Sequence, residues 1–445
     1  GTNLFYYSLW QPTMSHLYSF FLINGFLWIS LESLRNWNAG RAFTMGILLG
    51  LILLTRPTNI IVIMLIPFLA GDRTTLRCFL SDLRAKPKAA LVFSITFAAL
   101  CAIQAAAWYV QTGRLLLWSY GHEGFHLASP AIYSVLFSFR KGLFIYTPLV
   151  LVSLTGLILL FLKNKMQFFT ISGFLIVATW IIAGWWNWYY GDGFGLRAFV
   201  DYYGVFAILL ALVMNMFHTR AGIAAMLAML IPFVVLNLVQ TWQYTHRVIQ
   251  PNSMNLEKYR YVLMRTDSAA INCLGGVREI ADYGTDLAHP VKLLFNDFET
   301  TPGNWSTFTQ VKTGSAYSGK TAGYLDPEHQ FSSGVAIRAS GLGRLPASFF
   351  VAGEIMVRDS VAGASNRSLV VLSMDSIRPG ENWWQGFLLN DTPQNTAGKW
   401  RRCTFSLMTP EIANPGGLLK IYIWNTGRKP VLVDDFAVRI YGKGR

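Results

Sequence analysis

The stretch AFTMGILLGLILLTRPTNIIVIMLIPFLA, residues 42–70, is apolar over 29 positions and broken only at Thr55-Arg56-Pro57-Thr58-Asn59. Pro57 removes a helical donor and pushes Arg56 out of helical geometry. A single crossing of a membrane would put the Arg56 charge at the bilayer centre, which is costly unless the charge is paired. Two short helices that meet at Arg56-Pro57 fit better, with the turn facing an aqueous cavity. The flanking charges decide between the two readings. If 42–70 enters and returns, the loops 35–41, 71–88, 163–166 and 218–221 share one side and hold ten of the fifteen Lys and Arg of residues 1–245. A single crossing would scatter them. The positive-inside bias therefore favours the hairpin and makes that side the cytoplasm.

Six more apolar runs surround the hairpin, at 14–34, 89–112, 143–162, 167–186, 198–217 and 222–242. Each is about as long as the roughly 20 residues a helix needs to span hydrocarbon. Only 13% of the 445 residues are charged, against about 25% in soluble domains. With 37 Lys and Arg against 23 Asp and Glu and 53% hydrophobic residues, the excess positive charge is that of a membrane protein. A disordered chain and a nucleic-acid partner are both excluded. The sequence begins at Gly1 without Met, and residues 1–13 read as a loop from the middle of a protein. The expectation is a C-terminal portion of a longer chain.

The pattern changes near residue 245. Residues 1–245 are expected to form a helical polytopic domain of six full spans plus the 42–70 hairpin. Residues 246–290 read as an exported linker with a short helix at 254–265. Within 291–445, short β-rich segments such as 349–357, 368–374, 383–389, 403–407, 419–424 and 431–440 alternate with Gly, Pro, Asn and Asp turns, which argues for an all-β sandwich of jelly-roll type. An exported tail would allow Cys273 and Cys403 to pair if their Cα atoms come close enough. Glu299 on the opening strand and Asp435 on the closing strand are candidate oxygen ligands for a structural Ca²⁺. Trp383, Trp384 and Trp305 are candidates for stacking on sugar rings, or for the core.

Five basic residues of the first half, Arg56, Arg114, Arg140, Lys141 and Arg197, fall on the non-cytoplasmic side, where the bias disfavours them. Ligand binding is the leading reason for them. Around them stand three constellations. Gln11-Pro-Thr-Met-Ser-His16 opens a span and places His16 at its mouth, as a cap or facing a polar cavity. In the 113–142 loop, His122, Glu123 and His126 lie within five residues. Their spacing matches no standard zinc pattern, so a divalent metal is a weaker reading there than Glu123 as a general base. Arg140-Lys141 nearby suits a phosphate or an anchor at lipid headgroups. The third stretch runs from Gly184 to Arg197 through Trp188, Gly191, Asp192, Gly193 and Gly195. An aromatic belt explains the rings but not the alternating glycines. Here Arg197 and Asp201, spaced i,i+4, are expected to pair on a helix.

The first 240 or so residues resemble the GT-C superfamily of polytopic glycosyltransferases, which includes protein O-mannosyltransferases and the aminoarabinose transferases of lipid A. The resemblance rests on the Pro-x-x-Ser-His entry, the Gly46–Pro57 stretch GILLGLILLTRP and the Trp/Gly loop ending in Arg197. The tail is similar to carbohydrate-binding jelly-roll modules, on its Phe298-Glu299 and Asp434-Asp435-Phe436 ends. The resemblance implies transfer of a sugar from a polyprenyl-phosphate donor to a glycan, lipid or protein acceptor on the periplasmic face of a bacterial inner membrane. It implies Arg56, Arg140, Lys141 and Arg197 as cations for the lipid phosphate. The catalytic acid of that family sits in a first loop upstream of Gly1, which leaves Glu123 and Asp192 as secondary candidates. His16, His122, His126, Trp188 and Asp201 would support the site. The alternative is a non-catalytic subunit, a scaffold in a membrane complex that binds glycan or partner proteins through its sandwich.

Overall fold

The computed structural model describes residues 1–117, 123–251, 254–271, 289–300, 303, 305–306, 310–359, 368–389, 398–427 and 429–442. They divide into two compact units, Gly1–Thr241 and Trp242–Arg445.

The first unit is helical. Helices α1 (Leu4–Trp10), α2 (Ser15–Arg35) and α3 (Ala39–Thr55) lead to Arg56, whose φ of −153° and ψ of 104° end the helix ahead of Pro57. The chain resumes as a 3₁₀ helix over Pro57–Leu65 that runs into a short α-turn over Ile66–Ala70. The 17 residues of α3 rise about 25 Å at the α-helical pitch. The 9 residues of 3₁₀ helix and 5 of α-turn cover nearly the same distance, because a 3₁₀ helix rises about 2.0 Å per residue. The two arms of the hairpin are thus matched in length.

Next come α4 (Arg73–Ala85) and α5 (Pro87–Thr112). Lys86 Nζ donates to the carbonyl of Trp37 at 3.1 Å, and the Trp37 ring meets Phe79 edge-on at 5.7 Å. Asn164 Nδ2 donates to Gly71 O at 2.6 Å and Gln167 Nε2 to Phe68 O at 3.0 Å. Loops 35–41, 71–88 and 163–166 therefore meet at one end of the unit, and Arg56 lies a helix length away.

The run 143–162, read from sequence as one span, is built as three pieces: Leu143–Tyr146, Pro148–Ser153 and Thr155–Lys163. Pro148 cannot donate, and it drives Thr147 out of the helical region to ψ 67°. After it come α6 (Lys165–Gly184), a 3₁₀ turn over Arg197–Tyr202, α7 (Tyr203–Met214) and α8 (Arg220–Thr245). Among the described residues, five helical segments are long and apolar enough to cross a membrane: Ser15–Arg35, Pro87–Thr112, Lys165–Gly184, Arg197–Met214 and Arg220–Thr245.

Gly46 and Gly50 of the GILLG stretch sit where α3 crosses α5. A Cβ at Gly46 would lie 2.8 Å from Phe93 O, and one at Gly50 2.7 Å from a Leu100 methyl. Small residues four apart let two apolar helices approach backbone to backbone, which is the usual packing device where burial of apolar surface supplies little drive.

The second unit begins with the end of α8, followed by a short helix, Leu256–Val262, within the expected 254–265. Ten antiparallel strands then form a sandwich. They are β1 (Lys292–Asn296), β2 (Gln310–Thr313), β3 (Thr321–Leu325), β4 (Val335–Arg338), β5 (Phe349–Asp359), β6 (Ser368–Arg378), β7 (Glu381–Leu388), β8 (Trp400–Met408), β9 (Leu418–Asn425) and β10 (Val431–Gly442). One sheet is ordered β2-β3-β10-β5-β8, with β1 also on β10; the other is β4-β9-β6-β7. Alternate residues such as Leu419, Ile421 and Ile423 on β9 point into a core shared with Val351, Ile355, Phe405 and Phe436. A break in register between Asp434 and Ala437 kinks β10. One edge of β10 can then pair with β3 through 431–433 and with β1 through 436–440. Cys403 is buried and donates to Leu389 O at 2.7 Å. Its proposed partner, Cys273, lies outside the described residues.

The α3–α5 contact yields a test. Gly46→Val is expected to lower the thermal midpoint in detergent, at an overpacking cost of about 1–3 kcal/mol. Gly173→Ala on α6, with open space beside it, is expected to hold or raise the midpoint through roughly 0.8–1 kcal/mol of helix propensity. Equal shifts for the two variants would show that the close approach does not matter.

Candidate functional site

A carboxylate buried in an apolar unit must be paired or hydrogen-bonded. Asp201 is 1% exposed and has three partners from two other segments. Its Oδ1 accepts from His16 Nδ1 at 2.8 Å, its Oδ2 accepts from Asn59 Nδ2 at 2.7 Å, and Arg56 Nη1 lies 3.6 Å from Oδ2. Tyr202 donates to Asn59 Oδ1 at 2.7 Å. The Arg56 guanidinium also lies against the imidazole, with Nη1 2.5 Å from Nδ1 and 3.0 Å from Nε2. With Nδ1–H given to Asp201, the guanidinium rests against the ring and does not meet the in-plane lone pair of Nε2. The opening of α2, the hairpin tip and the entry to α7 are thereby joined.

The expected Arg197–Asp201 pair does not form. Residues 197–202 are 3₁₀ rather than α, so side chains eclipse at i,i+3 and a residue at i+4 points a third of a turn away. Arg197 Nη1 donates instead to Asp192 O at 3.2 Å and touches Met14 Sδ at 3.6 Å. Among the described residues no carboxylate lies within ion-pair distance of Arg197. The loop before it is held by its backbone: Asn3 Nδ2 and Tyr7 OH both donate to Phe194 O, at 2.9 and 3.1 Å. Gly195 has φ +59°, and a Cβ there would collide with Asn3. Only glycine fits that position.

These groups border a cavity of about 460 Å³, within the size range of small-molecule sites. His16, Arg56, Glu123 and Arg197 line it together with Trp185, Trp186 and Asn187. Glu123 reaches the cavity because the 123–131 strap is laced to the end of α6. His126 N donates to Gly184 O at 2.6 Å, and Trp186 N donates to Gly124 O at 3.0 Å. Three buried polar atoms of lining residues, Trp186 Nε1, Asn187 Oδ1 and Arg197 Nε, have no hydrogen-bond partner among the described residues. Buried polar atoms are rarely left so.

Other candidates lie elsewhere. Arg140 is packed under Tyr189, its guanidinium carbon 3.5 Å from the ring centre. Lys141 is 2% exposed and donates to Gly193 O. Burial pushes its ammonium down to about 7, against the pull of Asp192. Both residues brace the glycine loop from behind and do not border the cavity. Asp192 supplies its carbonyl to Arg197, and Trp188 is buried against Tyr189. His122 lies outside the described residues. Asn59, Tyr202, Trp186 and Asn187 were given no role from sequence, although Asn59 stands out as a polar residue in an apolar run.

On the sandwich, Glu299 Oε1 accepts from the backbone of Lys320 and Thr321 at 2.5 and 2.6 Å, and Asp435 Oδ1 accepts from Ser318 Oγ at 2.7 Å. Among the described residues no three His, Cys, Asp or Glu side chains converge as a metal site. Trp305 is in the core against Phe436, and Trp383 packs on the core edge. Trp384, the next residue on β7, is 60% exposed on the outer face. Register places Ser373 and Lys420 beside it, and Tyr422 and Trp424 follow on β9. Phe331 stacks on Trp424 at 5.7 Å. Trp384 is one of the residues the sequence offers for stacking on sugars; its β9 neighbours were missed, and their signal is the alternation Lys420-x-Tyr422-x-Trp424.

Fold and site together define a helical unit with a polar cavity at one end, joined to an antiparallel β-sandwich. No protein-family model matches the chain, and no curated protein matches it. Among solved structures, the sandwich resembles carbohydrate-binding modules of family 22. A xylan-binding domain from Paenibacillus barcinonensis is 19% identical and covers 37% of this chain and 99% of its own, with a TM-score of 0.24. A second xylan-binding domain of that family is 14% identical over 37% of this chain and 99% of its own, TM-score 0.23. A family 16 carbohydrate-binding module is 11% identical over 30% and 89%, TM-score 0.22.

Proposed function

We propose that this chain is a membrane glycosyltransferase that takes a sugar from a polyprenyl-phosphate donor, with the donor phosphate held between Arg56 and Arg197. The observation that carries the reading is the guanidinium of Arg197, half-buried at a cavity and without a carboxylate partner among the described residues. It faces a lining that also holds Arg56 and Trp186. Guanidinium forks suit phosphate oxygens, and a partly dry site strengthens the contact. Indoles at the rim suit a sugar ring or the first isoprene units. The acceptor's proton would pass to a basic group on the lining, where Glu123 and His16 stand. The GT-C resemblance supports this chemistry. In this reading the sandwich holds a glycan, on the outer face that carries Trp384, Tyr422 and Trp424, and the same face would serve a non-catalytic scaffold.

Arg197→Ala is expected to weaken binding of undecaprenyl phosphate, read by native mass spectrometry, by about 10–100-fold, the roughly 1.5–3 kcal/mol of one charge-assisted contact. Arg197→Lys should recover only part, since the fork is lost. Asp201→Ala is expected to lower the thermal midpoint, and Arg197→Ala to leave it in place. Unchanged lipid binding in Arg197→Ala would end the phosphate role.

The end of the helical unit bearing Trp37, Gly71 and Asn164 is proposed to face the cytoplasm, with the cavity at the periplasmic face. Cys78 is exposed on α4 at that end. With Cys273 replaced by Ser, an impermeant maleimide is expected to label Cys78 in inverted membrane vesicles and not in intact spheroplasts. Labelling in spheroplasts would reverse the orientation.

For the sandwich, affinity electrophoresis of the full chain through gels holding neutral polysaccharides is expected to show retardation that Trp384→Ala removes. Equal mobility of wild type and Trp384→Ala in every gel would exclude that face as the sugar site.

A further inference from the structure

We propose that His16 is the proton acceptor of the transfer step and that Asp201 is its positioning residue, with Arg56 releasing the base only when the donor phosphate is in place. The proposal rests on the transferase reading. Asp201 takes the Nδ1–H of His16 at 2.8 Å, which fixes the tautomer and leaves Nε2 as the basic nitrogen. His16 is 4% exposed, yet it borders the cavity together with Arg56 and Arg197. A base that is oriented from behind and open only on its cavity side is the arrangement general base catalysis requires. Glu123, by contrast, is an exposed carboxylate on the strap, and no hydrogen bond orients it among the described residues.

Arg56 sets the timing. In the structure its Nη1 lies 2.5 Å from His16 Nδ1 and 3.0 Å from Nε2, so a cation rests against the imidazole and opposes its protonation. A phosphate that draws the guanidinium toward itself removes that opposition and makes Nε2 the better proton acceptor. Asp201 does not lose its footing when that happens, because Asn59 stays on Oδ2 at 2.7 Å and His16 on Oδ1. The acceptor hydroxyl oxygen then attacks the anomeric carbon, and the bond from that carbon to the phosphate oxygen breaks. Its electron pair stays on the phosphate, which gains one negative charge between Arg56 and Arg197. The hydroxyl proton moves to His16 Nε2, and the imidazolium is held by Asp201. The charged and titratable groups that face the imidazole are Asp201, Arg56 and Arg197, with the Tyr7 ring 6.4 Å away.

The test measures binding and turnover separately, on full-length protein in nanodiscs. Binding is read by native mass spectrometry with undecaprenyl phosphate. Turnover is read as release of undecaprenyl phosphate from the lipid-linked sugars of the host membrane, by liquid chromatography and mass spectrometry. His16→Gln is expected to bind the lipid within threefold of wild type and to release it at least 100-fold more slowly, within the range of general-base effects. Asp201→Asn is expected to shift the acid limb of the pH–rate profile to lower pH, because a base without its carboxylate is harder to protonate. A structural role for the dyad would instead lower binding and release together and leave the limb in place, which would overturn the proposal. So would unchanged release in His16→Gln, which points to Glu123. Wild type that binds the lipid but releases none overturns this proposal and the transferase reading together, and the phosphate site then stands as a binding site alone. Loss of release in His16→Gln with lipid binding unaffected by Arg197→Ala would keep the base and remove the phosphate site.

Discussion

The carboxylate of Asp201 is the constraint on which the helical unit turns. An ion of that size taken out of water loses several kcal/mol of solvation, and the loss is recovered only when good partners meet it. Here the partners come from segments far apart in sequence: His16 at the opening of α2, and Arg56 with Asn59 at the tip of the hairpin. Their convergence answers two costs at once. The Arg56 charge, which no apolar run carries cheaply, gains a counter-ion, and the Asp201 charge gains three neighbours. Removing either would strand the other. The hairpin tip, α2 and the 3₁₀ entry to α7 therefore have one mutual arrangement, and the cavity is the space beside that joint.

The parts of this arrangement that follow from covalent geometry were legible in the sequence. Pro57 acts on its own neighbours, so the break after Thr55 could be placed to the residue. The shared end of loops 35–41, 71–88 and 163–166 also followed, because charge segregation reports it without knowledge of packing. What depends on long-range contact was not legible. Arg197 and Asp201 pair at i,i+4 only if the helix is α. There the chain is 3₁₀, and Asp201 is engaged by His16 and Asn59, 185 and 142 residues away in sequence. Lys141 shows the same limit. Its charge suggested a ligand, but its place behind the glycine loop depends on packing around Gly193.

The sandwich illustrates a different limit. Trp383 and Trp384 are adjacent, so they must lie on opposite faces of β7. Sequence guarantees that one of them points away from the core, and register alone decides which. The same register lines up Trp384 of β7 with Lys420 and Tyr422 of β9. The Asp434–Ala437 bulge was not visible in the pattern either. It falls at two acidic residues in a β-rich run, one of which, Asp435, reads from sequence as a metal ligand together with Glu299. In the structure Asp434 Oδ2 accepts from the backbone N–H of Tyr317 and Ser318, at 2.8 and 3.1 Å. That carboxylate thus ties down the 317–318 turn at the kink that lets β10 serve both β1 and β3.

The two arginines at the cavity are not equivalent, and the difference follows from their partners. Two unit charges about 4 Å apart near a protein surface interact by about 4 kcal/mol. Arg56, 3.6 Å from Asp201, is already held by such an attraction, while among the described residues Arg197 has a carbonyl and a thioether as its hydrogen-bond partners. An arriving anion therefore gains most from Arg197, which meets it with its field uncancelled. Arg56 can exchange part of one anionic contact for another at little net electrostatic cost, because Asp201 keeps His16 and Asn59. Arg197 is thus suited to capture and Arg56 to response. In the proposed site, one cation of each kind would bind the donor phosphate and register its arrival at the buried imidazole, without moving a helix.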